Sequence, residues 1–206
     1  MGGLSYSWYL PTMQPFLEAE YNLGAVETGG LLMLDGVTYA LATPIWGWAL
    51  DAGLLSPIQS LFIGSLFITI GTSFLRLASN VPMVGIGMAV SGFGVASCYL
   101  ITYMLMLSSS IESGLVQDTE QTQGMLTSLW FCFESLGGYF GSTISGWAYD
   151  MMGFRSSTLI IIGTHAVSML SLSVMWLVER KKRKENTKEM GYRQVPDKEI
   201  YEGNES

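Results

Sequence analysis

"GWALDAGL" at Gly47–Leu54 closes one long, nearly uncharged run, and "GWAYDMMG" at Gly146–Gly153 closes another. The two copies share Gly-Trp-Ala-x-Asp, so the chain writes the same ending twice, almost half its length apart. A carboxylate at the end of a helix is electrostatically misplaced, because that end of the macrodipole is negative. The repeat therefore asks what these helices are, and what Asp51 and Asp150 do at such a place.

The runs around the motifs answer the first question. Of 206 residues, 49% are hydrophobic and only 13% charged, against about 25% charged in soluble domains. Residues Glu179–Ser206 hold eight of the ten Lys/Arg. Outside that tail the only cations are Arg76 and Arg155, so no basic surface exists to hold a nucleic acid. Such a composition belongs to an all-α membrane protein. Five runs reach the about 20 apolar residues that cross a bilayer: 28–50, 57–75, 84–107, 124–148 and 157–178. A sixth piece, 2–16, is too short to span and carries Pro11 and Gln14. It reads as part of a longer helix, and the chain as a fragment of a longer protein or an incomplete gene model. The domain plan is thus a helical bundle over 1–178 and a mixed-charge, disordered tail over 179–206.

The cluster "RKKRK" at Arg180–Lys184 directly follows the last run and places the C-terminus in the cytosol. It reads as a stop-transfer anchor. Counting back, "DAGLLSP" is cytosolic, "RLASNVP" lies on the far side, 108–122 is cytosolic, and "DMMGFRSS" is again on the far side. The two motifs then sit at opposite faces, each closing the second helix of a three-helix unit. That is the signature of inverted repeats, which build many secondary transporters. Trp48 and Trp147, one turn from the helix ends, read as interfacial anchors.

With these features in place, the chain resembles the major facilitator superfamily. "GWALDAGL" resembles that family's Gly-x-x-x-Asp loop motif, and "YFGSTISGWAYDMMGFR" resembles its glycine-rich eleventh helix. The order "YLPTMQPFLEAEYNLG", Gly-x-x-x-Asp, "GGYFGSTISGWAYDMMGF" is similar to the vesicular amine and polyamine transporters. The resemblance implies about six transmembrane helices, the first incomplete. These form the C-terminal half of a twelve-helix fold that works against a missing N-terminal half. It also implies a gating role for Gly47, Asp51, Gly146 and Asp150, with Asp51 accepting N–H bonds from the start of the fifth helix near Thr122–Gly124. The chain departs from the pattern where Ala52-Gly53-Leu54-Leu55 replaces the basic residues after the loop Asp, and where Gly141-Ser142 replaces Gly-Pro.

Two acids interrupt the apolar runs, Asp35 and Glu134. An acid inside a bilayer costs about 2.5–3.5 kcal/mol on insertion scales, so it faces a cavity or a partner. Asp35 shares a helical face with Thr38, Tyr39, Ala42 and Thr43, whereas Glu134 shares one with Trp130, Gly137, Gly138 and Gly141. Of the two, Glu134 lies deeper along its run. The ridges Gly137/Gly141/Ser145 and Gly138/Ser142/Gly146 allow close helix approach. Buried carboxylates beside Tyr39, Tyr103 and Trp130 suit the alternate holding of a proton and an organic cation. Asp35, Tyr39, Glu134 and Trp130 are therefore the expected substrate and proton-coupling residues.

His165, the lone histidine, reads as a helix-packing hydrogen bonder, and Cys98 and Cys132 as small hydrophobes. No metal spacing, phosphate loop or Ser/His/Asp order appears, so neither an enzyme nor a cofactor is expected. The leading expectation is a multi-pass transporter that exchanges a small organic cation, an amine or polyamine, against protons. The alternative is a truncated membrane scaffold or regulatory isoform that moves nothing.

Overall fold

The computed structural model describes residues 2–114, 116–117 and 119–193, and all regular structure among them is helical. Four helices come first: α1 Gly2–Tyr21, α2 Ala25–Asp51, α3 Pro57–Leu77 and α4 Val81–Glu112. The continuous stretch Glu120–Arg193 is two helices, α5 over 120–152 and α6 over 154–193, broken at Gly153, whose φ of 75° and ψ of 167° are not helical.

Local chemistry sets the boundaries. Ser56 caps α3 in a reciprocal box with Gln59, with Pro57 in the first turn, where a missing N–H costs nothing. The Asn80 side chain accepts the Met83 N–H at 3.0 Å and starts α4. The first motif copy ends α2 at Asp51, and Gly53 follows with φ 66°, so that Leu54 N–H turns back to the Ala49 carbonyl at 3.1 Å. Gly153 takes the same left-handed φ after the second copy. Each Gly-Trp-Ala-x-Asp thus precedes a positive-φ glycine that stops or breaks its helix, a role only glycine fills without strain.

Several expected boundaries move. α1 is a 20-residue helix running through Pro11 and Pro15 to Tyr21, longer than the 2–16 piece. Within the described residues, Pro57–Leu77, Val81–Glu112 and Glu120–Val178 are long and apolar enough to cross a membrane. α2, at 27 residues, is long enough; its Asp35, glycines, threonines and tyrosine keep its mean hydropathy below that of those three. α6 continues to Arg193, into the segment expected to lack structure, because its Glu, Lys and Arg residues are good helix formers. The remainder of that tail, 194–206, lies outside the described residues.

The helices pack antiparallel in sequence order, so α1, α3 and α5 end at one end of the bundle and α2 and α4 at the other. At the first end, Phe16 stacks on Phe154 with centroids 4.0 Å apart. Arg155 donates to the Ala78 carbonyl and to Glu20 at 3.3 Å, while Arg76 donates to the Arg155 carbonyl at 2.6 Å. The two arginines that oppose the charge-bias topology are thus spent on tying α1, α3 and α6 together.

The most extensive close seam joins α3 and α4, with glycines of both helices along it. A Cβ at Gly71 would lie 2.7 Å from the Gly87 carbonyl oxygen, and one at Gly64 would lie 2.7 Å from the Ser97 Cβ. Ser97 Oγ donates across the seam to the Ser60 carbonyl at 2.8 Å. The expected α5 ridge packs similarly: a Cβ at Gly141 would lie 2.6 Å from the Leu4 carbonyl oxygen of α1.

Gly71→Ala should therefore lower the melting temperature of the full chain in detergent. Gly163→Ala, where an added Cβ meets nothing within 4 Å, should leave it unchanged or raise it, by up to about 1 kcal/mol of helix propensity. Equal effects of the two would remove the seam from the account of stability.

Candidate functional site

Glu134 lies half-buried on α5, between two helices it does not belong to. One carboxylate oxygen accepts the Tyr99 hydroxyl of α4, and the other accepts the Gly3 N–H of α1 at 3.0 Å. Tyr99 in turn packs edge-on to Tyr39 of α2, with centroids 5.9 Å apart, and to Trp130 of α5 at 5.4 Å. Tyr103 extends the row to Trp130 at 6.2 Å. Three of the four expected coupling residues, Tyr39, Trp130 and Glu134, thus meet around Tyr99.

Two cavities share Tyr99 and Glu134 as a common wall. The first, about 460 Å³, lies among α3, α4, α5 and α6 and includes Ser65, Thr102, Trp130 and Ser168. The second, about 530 Å³, is lined by Tyr6, Ser7, Ser135, Tyr139, Ser142 and Thr143. It opens outward through the exposed Tyr6, Ser135, Tyr139 and Thr143. Both volumes lie in the range of small-molecule sites. Their lining of hydroxyls, rings and one carboxylate offers a cation a counter-charge, π-faces and hydrogen-bond acceptors.

Asp35 sits beside this group, not within it. It is only 3% exposed, so burial runs opposite to the depth order along the helices: Asp35 is the more enclosed acid. The cause is Gly92 of α4, which lies so close to the Asp35 backbone that a Cβ there would overlap the Asp35 carbonyl. The Asp35 side chain lines a small cavity of about 30 Å³ with Tyr6, Tyr9, Leu10, Leu32 and Met88. No described residue hydrogen-bonds its carboxylate. Tyr6 lines both this cavity and the larger open one, linking the two acids through α1.

The motif residues lie elsewhere. Asp51 is exposed and borders a cavity formed by α2, the start of α3 and the late α4 residues Met104, Leu105 and Ser108. The expected bonds from Thr122–Gly124 do not form, because α4 and not α5 occupies that side of α2. Gly47 packs toward Leu100, where a Cβ would sit 3.9 Å from it, whereas a Cβ at Gly146 meets nothing within 4 Å. Asp150 is exposed beside the Gly153 break. The motif tryptophans Trp48 and Trp147 also face outward, while Trp46 is buried and donates to the Phe93 carbonyl at 3.0 Å.

His165 is buried on α6, and its Nε2 shares a 2.6 Å hydrogen bond with Ser5 Oγ of α1. Tyr9, also on α1, bonds Thr72 of α3 at 2.6 Å. Thr72 gives its own proton to the Ile68 carbonyl, so Tyr9 is the donor. Tyr99 was not among the residues singled out in the sequence. Its one local signal is that it falls a turn before Tyr103, on the same helical face.

A family model described as Major Facilitator Superfamily matches residues 1–200. The MFS-type transporter SLC18B1 of Homo sapiens is 24% identical over 180 residues, covering 84% of this chain and 39% of the relative. Its Mus musculus counterpart is 21% identical over 175 residues, covering 82% and 38%. The Rattus norvegicus protein is 22% identical over 157 residues, covering 73% and 34%. The chain thus spans well under half the length of these curated relatives. No solved structure gives a significant match.

Tyr99→Phe should destabilise the chain by about 1 kcal/mol, the scale of side-chain hydrogen bonds between membrane helices. Tyr103→Phe, whose hydroxyl meets Thr127 at 2.9 Å away from any acid, should cost less. Thermal melts of both variants in detergent check the ranking, and a reversed order would dismiss the Tyr99–Glu134 contact.

Proposed function

This chain belongs to the Major Facilitator Superfamily, and from that premise we propose that it takes part in exchanging a small organic cation, an amine or polyamine, against protons. It is a multi-pass membrane protein, and in this reading it works against a second six-helix half with its C-terminus in the cytosol. The observation that carries the proposal is Glu134, set in a row of aromatic rings at the wall between two cavities.

Each part has a stated task. Glu134 holds the cationic group or a proton, one at a time. Trp130 and Tyr99 supply ring faces to the cation, an attraction that strengthens as water is excluded, and Tyr39 packs edge-on against Tyr99 behind them. Tyr99 OH and the Gly3 N–H hold the carboxylate when the cation is absent, so that it is not left bare in an apolar interior. Asp35, enclosed beside Tyr6 and Tyr9, is the second acid, in a space too small for an organic cation. The names of the similar proteins support a transporter; the substrate class rests on the acid and its rings.

The test is uptake of labelled amines and polyamines into proteoliposomes that hold this chain together with an N-terminal six-helix half. Uptake should depend on an acidic interior, and Glu134→Gln should lower it at least about tenfold, the loss expected when about 1.4 kcal/mol of binding disappears. Asp35→Asn should weaken the dependence on the proton gradient more than the binding of the amine. Uptake indifferent to both substitutions would overturn the assignment of the acids. Uptake of anions or neutral solutes alone would overturn the substrate class.

A further inference from the structure

Between α3 and α6, adjoining the Glu134 cavity with which it shares Leu172, a groove of about 290 Å³ opens between the start of α3 and the late part of α6. Its walls are Leu55, Ile58, Phe62, Ile63, Leu172 and Trp176, with Gln59 and Ser173 as the polar members. Along α6, Leu172, Trp176 and Arg180 are spaced four apart and stack on one face, which covers about 12 Å of helix at 1.5 Å per residue. The Arg180 guanidinium lies 3.7 Å over the Trp176 ring, which fixes a cation beside a mostly apolar slot. Lys181 is exposed next to it, and the run continues through Lys184. The first turn of α3, with its dipole positive, opens at the same end.

We propose that this groove holds one anionic phospholipid of the surrounding leaflet, with an acyl chain between α3 and α6 and the phosphate against Arg180. The gradient along α6 from Leu172 to Arg180 is the gradient along such a lipid, from chain to charge. A second copy of the chain fits poorly, because it brings the same basic cluster to the same place. A zwitterionic lipid fills the slot equally well but gains less at its mouth, where each cation near the surface favours negative charge. The inference does not depend on what the chain transports.

Native mass spectrometry of the full chain, in detergent supplied with equal amounts of dioleoyl phosphatidylglycerol and dioleoyl phosphatidylcholine, tests it. Phosphatidylglycerol should be retained over phosphatidylcholine by about fivefold for each cation at the mouth. Arg180→Gln should cut that preference about fivefold, while Lys188→Gln, the same charge change two turns farther on, should leave it. Dibutyryl phosphatidylglycerol, with the headgroup but no long chain, should be retained far less than the dioleoyl lipid. Equal retention of the two headgroups, equal effects of the two substitutions, or undiminished binding of the short-chain lipid would each overturn the proposal. So would recovery of a lipid-free dimer.

Discussion

Close approach of α3 and α4 is the constraint on which the remaining geometry depends. In a bilayer there is no hydrophobic gain from pressing one apolar helix on another, so packing contacts and interhelical hydrogen bonds must do the work. At Gly64, Gly71, Gly87 and Gly94 the two backbones come within reach of each other, and Ser97 adds a hydrogen bond across the seam. With α4 held on that face, its Gly92 can receive α2 at Asp35, and its Tyr99 points toward α5. One helix thus carries three neighbours. The enclosure of Asp35 and the seating of Glu134 are both consequences.

Most polar groups inside the bundle follow a second rule, that each takes a partner when water is absent. Among the described residues, Trp8 Nε1, the Thr28, Ser60 and Ser91 hydroxyls, His165 Nδ1 and the Asp35 carboxylate are exceptions. α1 shows how the rule distributes contacts. Ser5 meets His165 of α6, Tyr9 meets Thr72 of α3, and the Ser7 carbonyl accepts from Ser142 of α5. A helix that reads as too short and too broken by proline to span is therefore held by bonds to three others. At its far end Glu20 and Tyr21 join Arg155 and the Ala78 carbonyl. Arg76 and Arg155 contradict a charge-bias topology only while they are counted as free charges, and here they are structural ties.

How much of this was legible follows from which signals are local. The helices around both motifs were, because a bilayer demands long apolar runs and the breaks fall at Ser56-Pro57, Asn80 and Gly153. The face of Glu134 was also legible, since Trp130, Gly137 and Gly141 follow from helical spacing alone. Tyr99 was not, because its bond to Glu134 joins residues 35 positions apart and leaves no trace in either helix. Nor was the α3–α4 seam, whose glycines show no strict four-residue repeat on α3. Asp51 failed for a different reason: the family resemblance named its partner, but which helix lies beside α2 is decided by packing, and α4 takes that place.

The contrast between the two acids is then physical and not merely positional. Glu134 has two donors, one on a hydroxyl that can rotate away and one on the backbone of another helix. In the proposed exchange, a cation arriving from either cavity competes with Tyr99 for the same oxygen, so one partner replaces another and no bare carboxylate is exposed to an apolar interior. Asp35 has no such donor and no room for an organic cation. In the proposed exchange its counterpart is a proton, and Tyr6 and Tyr9 of α1 line the small space around it. Because Tyr6 also borders the Glu134 cavity, any shift of α1 that eases one acid disturbs the wall beside the other. That shared wall is the shortest physical route by which occupation of one acid can be felt at the second.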